Sequence, residues 1–275
     1  MELFESSFLF NSLSAALLAS IAAGIIGTYV VVKRLVFITG GIAHSCYGGI
    51  GLGYFLGIPP MIGAAGFGLL SSFIIGAANR RLQQNADTVI GVLWAAGMAI
   101  GMIFIYLTPG YAPDLMSYLF GNIILIQSSD LVIIGITDIV IVGLVILLYR
   151  EFRAILFDEE FATVGNLPVG FLYMLLLALI GITVVLLVRI IGIIMAIALL
   201  TIPAATARLF THRLSTMMVI AVLLSAVFSA GGLLLSFFLE KAGVSIQATP
   251  VIILTASITY GITAIIAAKK TRTAR

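Results

Sequence analysis

Uncharged apolar stretches long enough to span a bilayer follow one another through almost the whole of this sequence. Phe37 to Gly57 has no charged side chain, and 169–207 is one apolar run interrupted only by Arg189. A helix needs about 20 such residues to cross hydrocarbon. Inside lipid every backbone N–H and C=O must be satisfied within the chain, so runs of this kind fold as helices. No strand-period alternation appears, and no soluble domain can be separated. With 62% hydrophobic and 9% charged residues and a mean hydropathy of +1.25, the chain lies far from the composition of a soluble domain. The expected fold is all-α, a single polytopic membrane domain over 1–275.

Nine spans are predicted, at about 9–32, 36–57, 60–78, 88–107, 130–149, 169–188, 191–207, 215–238 and 250–268. Cationic residues orient them, because Lys and Arg gather on the cytoplasmic side. Lys33-Arg34, Arg80-Arg81, Arg150 with Arg153, Arg208 with Arg213, and the Lys269-Lys270-Thr-Arg272 tail fall on one side. Glu2, Glu5, Asp114 and Glu240-Lys241 fall on the other. The N-terminus is therefore expected outside and the C-terminus in the cytoplasm. Met1-Glu-Leu-Phe-Glu5 lacks the positive stretch of a cleavable signal, so the first apolar run is expected to remain as a span. Arg189 is read at a tight outer turn, snorkelling to the interface. Leu115–Gln127 is read as an outer-side helix or partial re-entry, and Arg150–Pro168 as a solvated loop, with a docking surface as the second reading.

His44 is the residue that most needs explaining. It is the only side chain of the second span that titrates near neutrality, and the other histidine, His212, lies in a basic turn. Ionisable groups at membrane depth are costly and mark a pathway, a partner or a ligand. Neutral imidazole binds zinc and other transition metals. Gly49, Gly53 and Gly57 recur every four residues and let another helix approach closely. His44, Gly48 and Gly51 share a neighbouring stripe, which suggests a smooth wall with one polar station. The bland reading is a histidine hydrogen-bonded to a neighbouring helix for packing.

Asp138 is the other polar group at membrane depth, paired with His44, facing a polar cavity, or bonded to another helix. Asp87 reads as a helix N-cap at a cytoplasmic span start. Cys46 is the only cysteine, which excludes an intrachain disulfide, and it points elsewhere on the helix from His44. The nine methionines read as packing. The formal charge of +3 sits in clusters at segment ends and gives no face for nucleic acid. No Gly-x-x-x-x-Gly-Lys-Ser/Thr, HExxH or GxSxG string occurs, so no enzyme activity and no bound cofactor are expected, and any energy source lies on another subunit.

Several segments together resemble the permease family of bacterial ABC importers for zinc, manganese and iron. They are Val31-Val-Lys33-Arg34-Leu-Val-Phe37 running into Gly40-Gly-Ile-Ala-His44-Ser, then Asp87-Thr-Val-Ile-Gly91, Asp114-Leu-Met-Ser-Tyr-Leu-Phe-Gly121, Phe157-Asp158-Glu-Glu-Phe-Ala162, and Leu200-Thr-Ile-Pro203-Ala-Ala-Thr-Ala207-Arg208. They stand in the family's order. The resemblance implies a homodimer in the prokaryotic cell membrane, with its path at or near the subunit interface. Two cytoplasmic ATP-binding subunits would drive it, and an extracytoplasmic metal-binding protein would deliver a zinc, manganese or iron ion. It further implies a coupling helix near 204–214, which brings Ala204, Ala205, Arg208, His212 and Arg213 to the ATPase.

Two departures bear on the cargo. The family commonly has Gly-Asp four residues before the histidine, where this chain has Thr39-Gly40, and an acid after Leu-Phe-Gly, where it has Asn122. Losing a carboxylate beside His44 disfavours a hard ion and favours zinc, with Asp138 as a possible compensating ligand. The outer segment Val244–Pro250 also departs from the family's usual turn. The rival reading is an ion-coupled secondary metal transporter, which needs intramembrane acids, and only Asp138 fits.

Overall fold

The computed structural model describes the backbone of residues 2–81, 86–110, 116–121, 126–244 and 246–273, and side chains within 9–79, 87–110, 118–121, 126–244 and 246–269. The elements are α1 (Glu2–Val32), α2 (Val36–Leu56), α3 (Pro60–Arg81), α4 (Ala86–Leu107), α5 (Met116–Phe120), α6 (Ser128–Leu147), α7 (Tyr149–Phe157), α8 (Glu159–Val164), α9 (Val169–Phe210), α10 (Leu214–Lys241) and α11 (Ala248–Thr273). Among the described residues there is no strand, as the apolar runs require.

Among the described residues, seven helices are long and apolar enough to cross a membrane: α1, α3, α4, α6, α9, α10 and α11. α2, at 21 residues, is not among them; it carries six glycines and His44. The expectation of nine spans counts α2 and takes the two limbs of α9 separately.

Glycine decides how these helices meet. On α1, Gly24 lies against the backbone of Val222 in α10, and Gly27 against the Leu200 carbonyl in α9. α2, α3 and α4 pack as one group, and α1, α6, α10 and α11 as another, with α9 packed against both. α1 and α6 run in the same direction, since Asn11 meets Ser128 at one end and Tyr29 packs edge-on against Phe152 beyond the other, with ring centroids 5.6 Å apart.

Three expectations are corrected. The break in the long apolar run is at Gly192, with φ 78° and ψ 171°, and not at Arg189, which stays inside the first limb of α9. Arg189 does not simply reach for the interface, because its guanidinium bonds the carboxylate of Asp130 in the first turn of α6. Arg150–Pro168 is not a solvated loop. It folds as α7 and α8, with Phe152, Ile155 and Ala162 buried and Asp158 accepting the Phe161 N–H at 2.9 Å as the cap of α8. The segment 204–214 is no separate helix either: 204–210 is the end of α9, 211–213 links, and α10 starts at Leu214. Pro203 sits within α9 without ending it.

Within Leu115–Gln127 the described residues are α5 with Gly121, which abuts the backbone at Ile191 and Gly192, and then Ile126, which is buried, and Gln127 ahead of α6. The tyrosine hydroxyls of Tyr118 and Tyr54 meet at 2.8 Å. Asp114 and Asn122 lie outside the described residues, as do the side chains of Glu2, Glu5, Arg80, Arg81, Lys270 and Arg272.

Candidate functional site

The site is organised by α2, which has a neighbour on each glycine face. Gly49 and Gly53 meet Gly63 and Pro60 of α3, so this pair of the stripe does bring a helix close. Gly57 does not belong to it, because at φ 67° it is the left-handed cap that ends α2. Gly48 and Gly51 meet Gly97 and Gly101 of α4. The expected smooth wall beside His44 is therefore consumed by helix packing. Ser45 reinforces the α2–α4 seam by donating to the Leu93 carbonyl at 3.1 Å.

His44 lies at the edge of that seam, half-buried, with Nδ1 buried and without a hydrogen-bond partner. Nδ1 makes no hydrogen bond to a neighbouring helix. The imidazole is stacked instead on the indole of Trp94, at 4.1 Å between ring centroids and 15° between planes. The same indole lies over Gly40, one turn earlier, where an added Cβ would be 3.0 Å from its Cζ3. Trp94 was not singled out by the sequence reasoning. Its signal was available, since it is the chain's single tryptophan.

Trp94 also lines a cavity of about 260 Å3 together with Phe37, Asp87, Ile90 and Gly91. Asp87 is not the N-cap: α4 begins at Ala86, so the carboxylate is in the first turn, exposed and on the cavity wall. Cys46 is buried and faces Gly68 of α3, away from His44 as expected.

Asp138 is 4% exposed, and neither carboxylate oxygen has a hydrogen-bond partner. No bond joins it to His44. Its helix α6 packs chiefly on α1, whereas α2 packs on α3, α4 and α9. Among the described residues no three His, Cys, Asp or Glu side chains gather as a metal site.

At the end of the bundle carrying the Lys33 turn, Lys33 donates to Glu159 at 2.6 Å and to the Ile155 carbonyl at 2.8 Å. Arg208 donates to the Val31 carbonyl at 3.1 Å, which ties the end of α9 to the end of α1. Ala204 is fully buried with Ala207, Met217 and Ala221, while Ala205 is half-buried. His212 and Arg213 are exposed and line a cavity of about 420 Å3 with Tyr149, Arg153, Phe157, Leu214 and Ser215.

Comparison with known proteins agrees with this architecture. A model of the ABC 3 transport family matches residues 5–267. The chain is 44% identical over 256 residues to an uncharacterized membrane protein of Synechocystis sp., covering 93% of this chain and 89% of that protein. It is 33% identical over 240 residues to the manganese transport system membrane protein MntC of Listeria monocytogenes, covering 87% and 85%. Its structure is similar to a chain of PsaBC from Streptococcus pneumoniae, solved in complex with Fab, with a TM-score of 0.79 at 30% identity over 93% of this chain and 90% of that one. An all-helical, multi-pass membrane chain matched over nearly its full length leaves one assignment: it is a member of the ABC 3 transport family, the membrane permease component of an ABC transporter.

Proposed function

We propose that this permease imports a divalent transition-metal ion, zinc before manganese or iron, with His44 as the station the ion meets inside the membrane. The observation that carries the reading is the unpartnered, buried Nδ1 of His44, the one side chain on α2 that titrates near neutrality. A structural histidine at this depth would be bonded. The zinc preference is supported by Gly40, which offers no carboxylate beside His44, and by the imidazole's suitability for that ion. The Listeria relative is named for manganese, so manganese is the competing cargo.

In this reading nine spans place the N-terminus outside and the C-terminus in the cytoplasm, with Lys33-Arg34 and Arg213 on the cytoplasmic side. The permease is a homodimer. It has no ATP site of its own, and two cytoplasmic ATP-binding subunits drive it while an extracytoplasmic metal-binding protein delivers the ion. His212 and Arg213 then face the ATPase from the segment 204–214. Arg208 holds α9 to α1, and Ala204 and Ala205 shape the end of α9.

The test is uptake of each metal per assembled complex. His44→Ala is expected to abolish most uptake with dimer and ATPase assembly intact. Wild-type uptake is expected to fall as the medium is acidified through the range where imidazole protonates, because only the neutral ring coordinates metal. Near-normal uptake per complex in the variant removes His44 from the path.

Asp138 favours a second reading, an ion-coupled secondary transporter, because its carboxylate is buried without a partner. Uptake that continues with a catalytically dead ATPase would establish that reading and overturn the first.

A further inference from the structure

Trp94 touches both halves of the site. One face of its indole covers Gly40 and His44 along a single turn of α2, and the ring also walls the cavity whose rim carries Asp87. Side chains on a helix lean toward its N-terminus, so the indole projects from α4 back toward the cavity. Asp87, Gly91 and Trp94 follow at helical spacing on one face of α4. Asp87 and Trp94 are seven positions apart, about 10 Å along the axis at 1.5 Å per residue. α2 and α4 run in the same direction, since Gly41 meets Ile90, Gly48 meets Gly97 and Gly51 meets Gly101. The order along the seam is therefore Asp87 at the rim, then the cavity, then the indole, then His44.

Among the described residues that line the cavity, Asp87 is the one ionisable side chain and the rest are apolar. A dehydrating ion leaving an imidazole would meet no ligand there until that carboxylate. The ring that stacks on His44 also lines the cavity that Asp87 lines. Gly91 gives the ring room, because an added Cβ at that position would meet nothing within 4 Å.

We propose that Trp94 is a shutter between two ion stations: stacked on His44 it closes the path, and turned into the adjacent cavity it opens a route from His44 to Asp87. This rests on the reading that the ion meets His44. Asp87 is then the second ligand of the transported divalent cation, at the Lys33 end of the pathway, and Trp94 is a positioning residue that touches the station without ligating the ion.

Trp94 is the only tryptophan in the chain, so its movement can be read optically. The assembled transporter is placed in lipid nanodiscs, and the emission of Trp94 is taken as the difference between wild-type and Trp94→Phe complexes. Acrylamide quenching is compared without nucleotide and with a trapped, non-hydrolysable ATP analogue. The expected result is a several-fold rise in quenching in one of these states. Equal quenching in every state, with zinc and without, overturns the shutter. In liposomes, Trp94→Ala is expected to leak zinc without ATP while Trp94→Phe stays tight, and a tight Trp94→Ala overturns the proposal. Asp87→Asn is expected to raise the zinc concentration for half-maximal uptake several-fold with the quenching change intact, and an unchanged value removes Asp87 as a station. The two readings fail separately. Static quenching with an inactive His44→Ala defeats the shutter alone, whereas a moving indole with a fully active His44→Ala defeats the reading of His44 on which the shutter depends.

Discussion

Replacing Gly97 with alanine tests whether the α2–α4 seam positions His44. A Cβ on Gly97 would lie 2.6 Å from the Ser45 Cα and 3.3 Å from the His44 carbonyl oxygen. Carbon pairs rest at about 3.5–4.0 Å, so the two helices must part by about 1 Å. Both neighbouring atoms are backbone, which cannot rotate out of the way. Overpacking of this kind costs about 1–3 kcal/mol, and at about 2–4 °C per kcal/mol the melting temperature should fall by roughly 2–12 °C. The same displacement lengthens the 3.1 Å bond from Ser45 to Leu93 and moves Trp94 relative to His44. Gly231→Ala on α10 is the control, because its Cβ would meet nothing within 4 Å. Alanine there should be neutral or stabilise by up to about 1 kcal/mol. The assay is thermal unfolding of the two purified variants beside metal uptake per assembled complex. Gly97→Ala is expected to lose both stability and uptake. If it melts and transports like Gly231→Ala, the seam does not fix the site.

The remaining expectations concern the ends of the bundle. Gly192→Ala places a side chain at φ 78° and ψ 171° against the Gly121 backbone; the conformation alone costs about 1–3 kcal/mol, and membrane abundance measured by immunoblot should drop well below wild type. Lys33→Ala removes a half-exposed ion pair to Glu159, so a double-mutant cycle with Glu159→Ala should return a coupling of only about 0.2–1 kcal/mol; a value of zero would assign the contact at Ile155 the whole effect. Arg208→Ala should lower thermal stability by releasing Val31, while Arg213→Glu should leave stability unchanged and weaken ATPase co-purification. If Arg213→Glu co-purifies and transports normally, the docking role of the 211–213 link is wrong.

The course of the helices was legible in the sequence because the bilayer constrains it locally. Run length and the absence of charge decide whether a segment is helical, and α1, α2, α3, α6 and α10 begin or end within a few residues of the expected bounds. His44 stood out for the same reason, as the one group titrating near neutrality in an uncharged run. The neighbours of these residues were not legible. Trp94 on His44, Asp130 on Arg189, Glu159 on Lys33 and Tyr118 on Tyr54 each join positions distant in the chain. Glycine spacing announced that helices approach α2, but it could not say that one stripe meets α3 and the other α4, so the open wall expected beside His44 was packed shut. The break in α9 moved to Gly192 because a left-handed backbone needs glycine, whereas Arg189 found an acid on another helix and stayed helical. Hydropathy acts on each segment separately and so is written in the sequence; contact partners follow from which helices lie side by side, and that is settled only when the whole bundle packs.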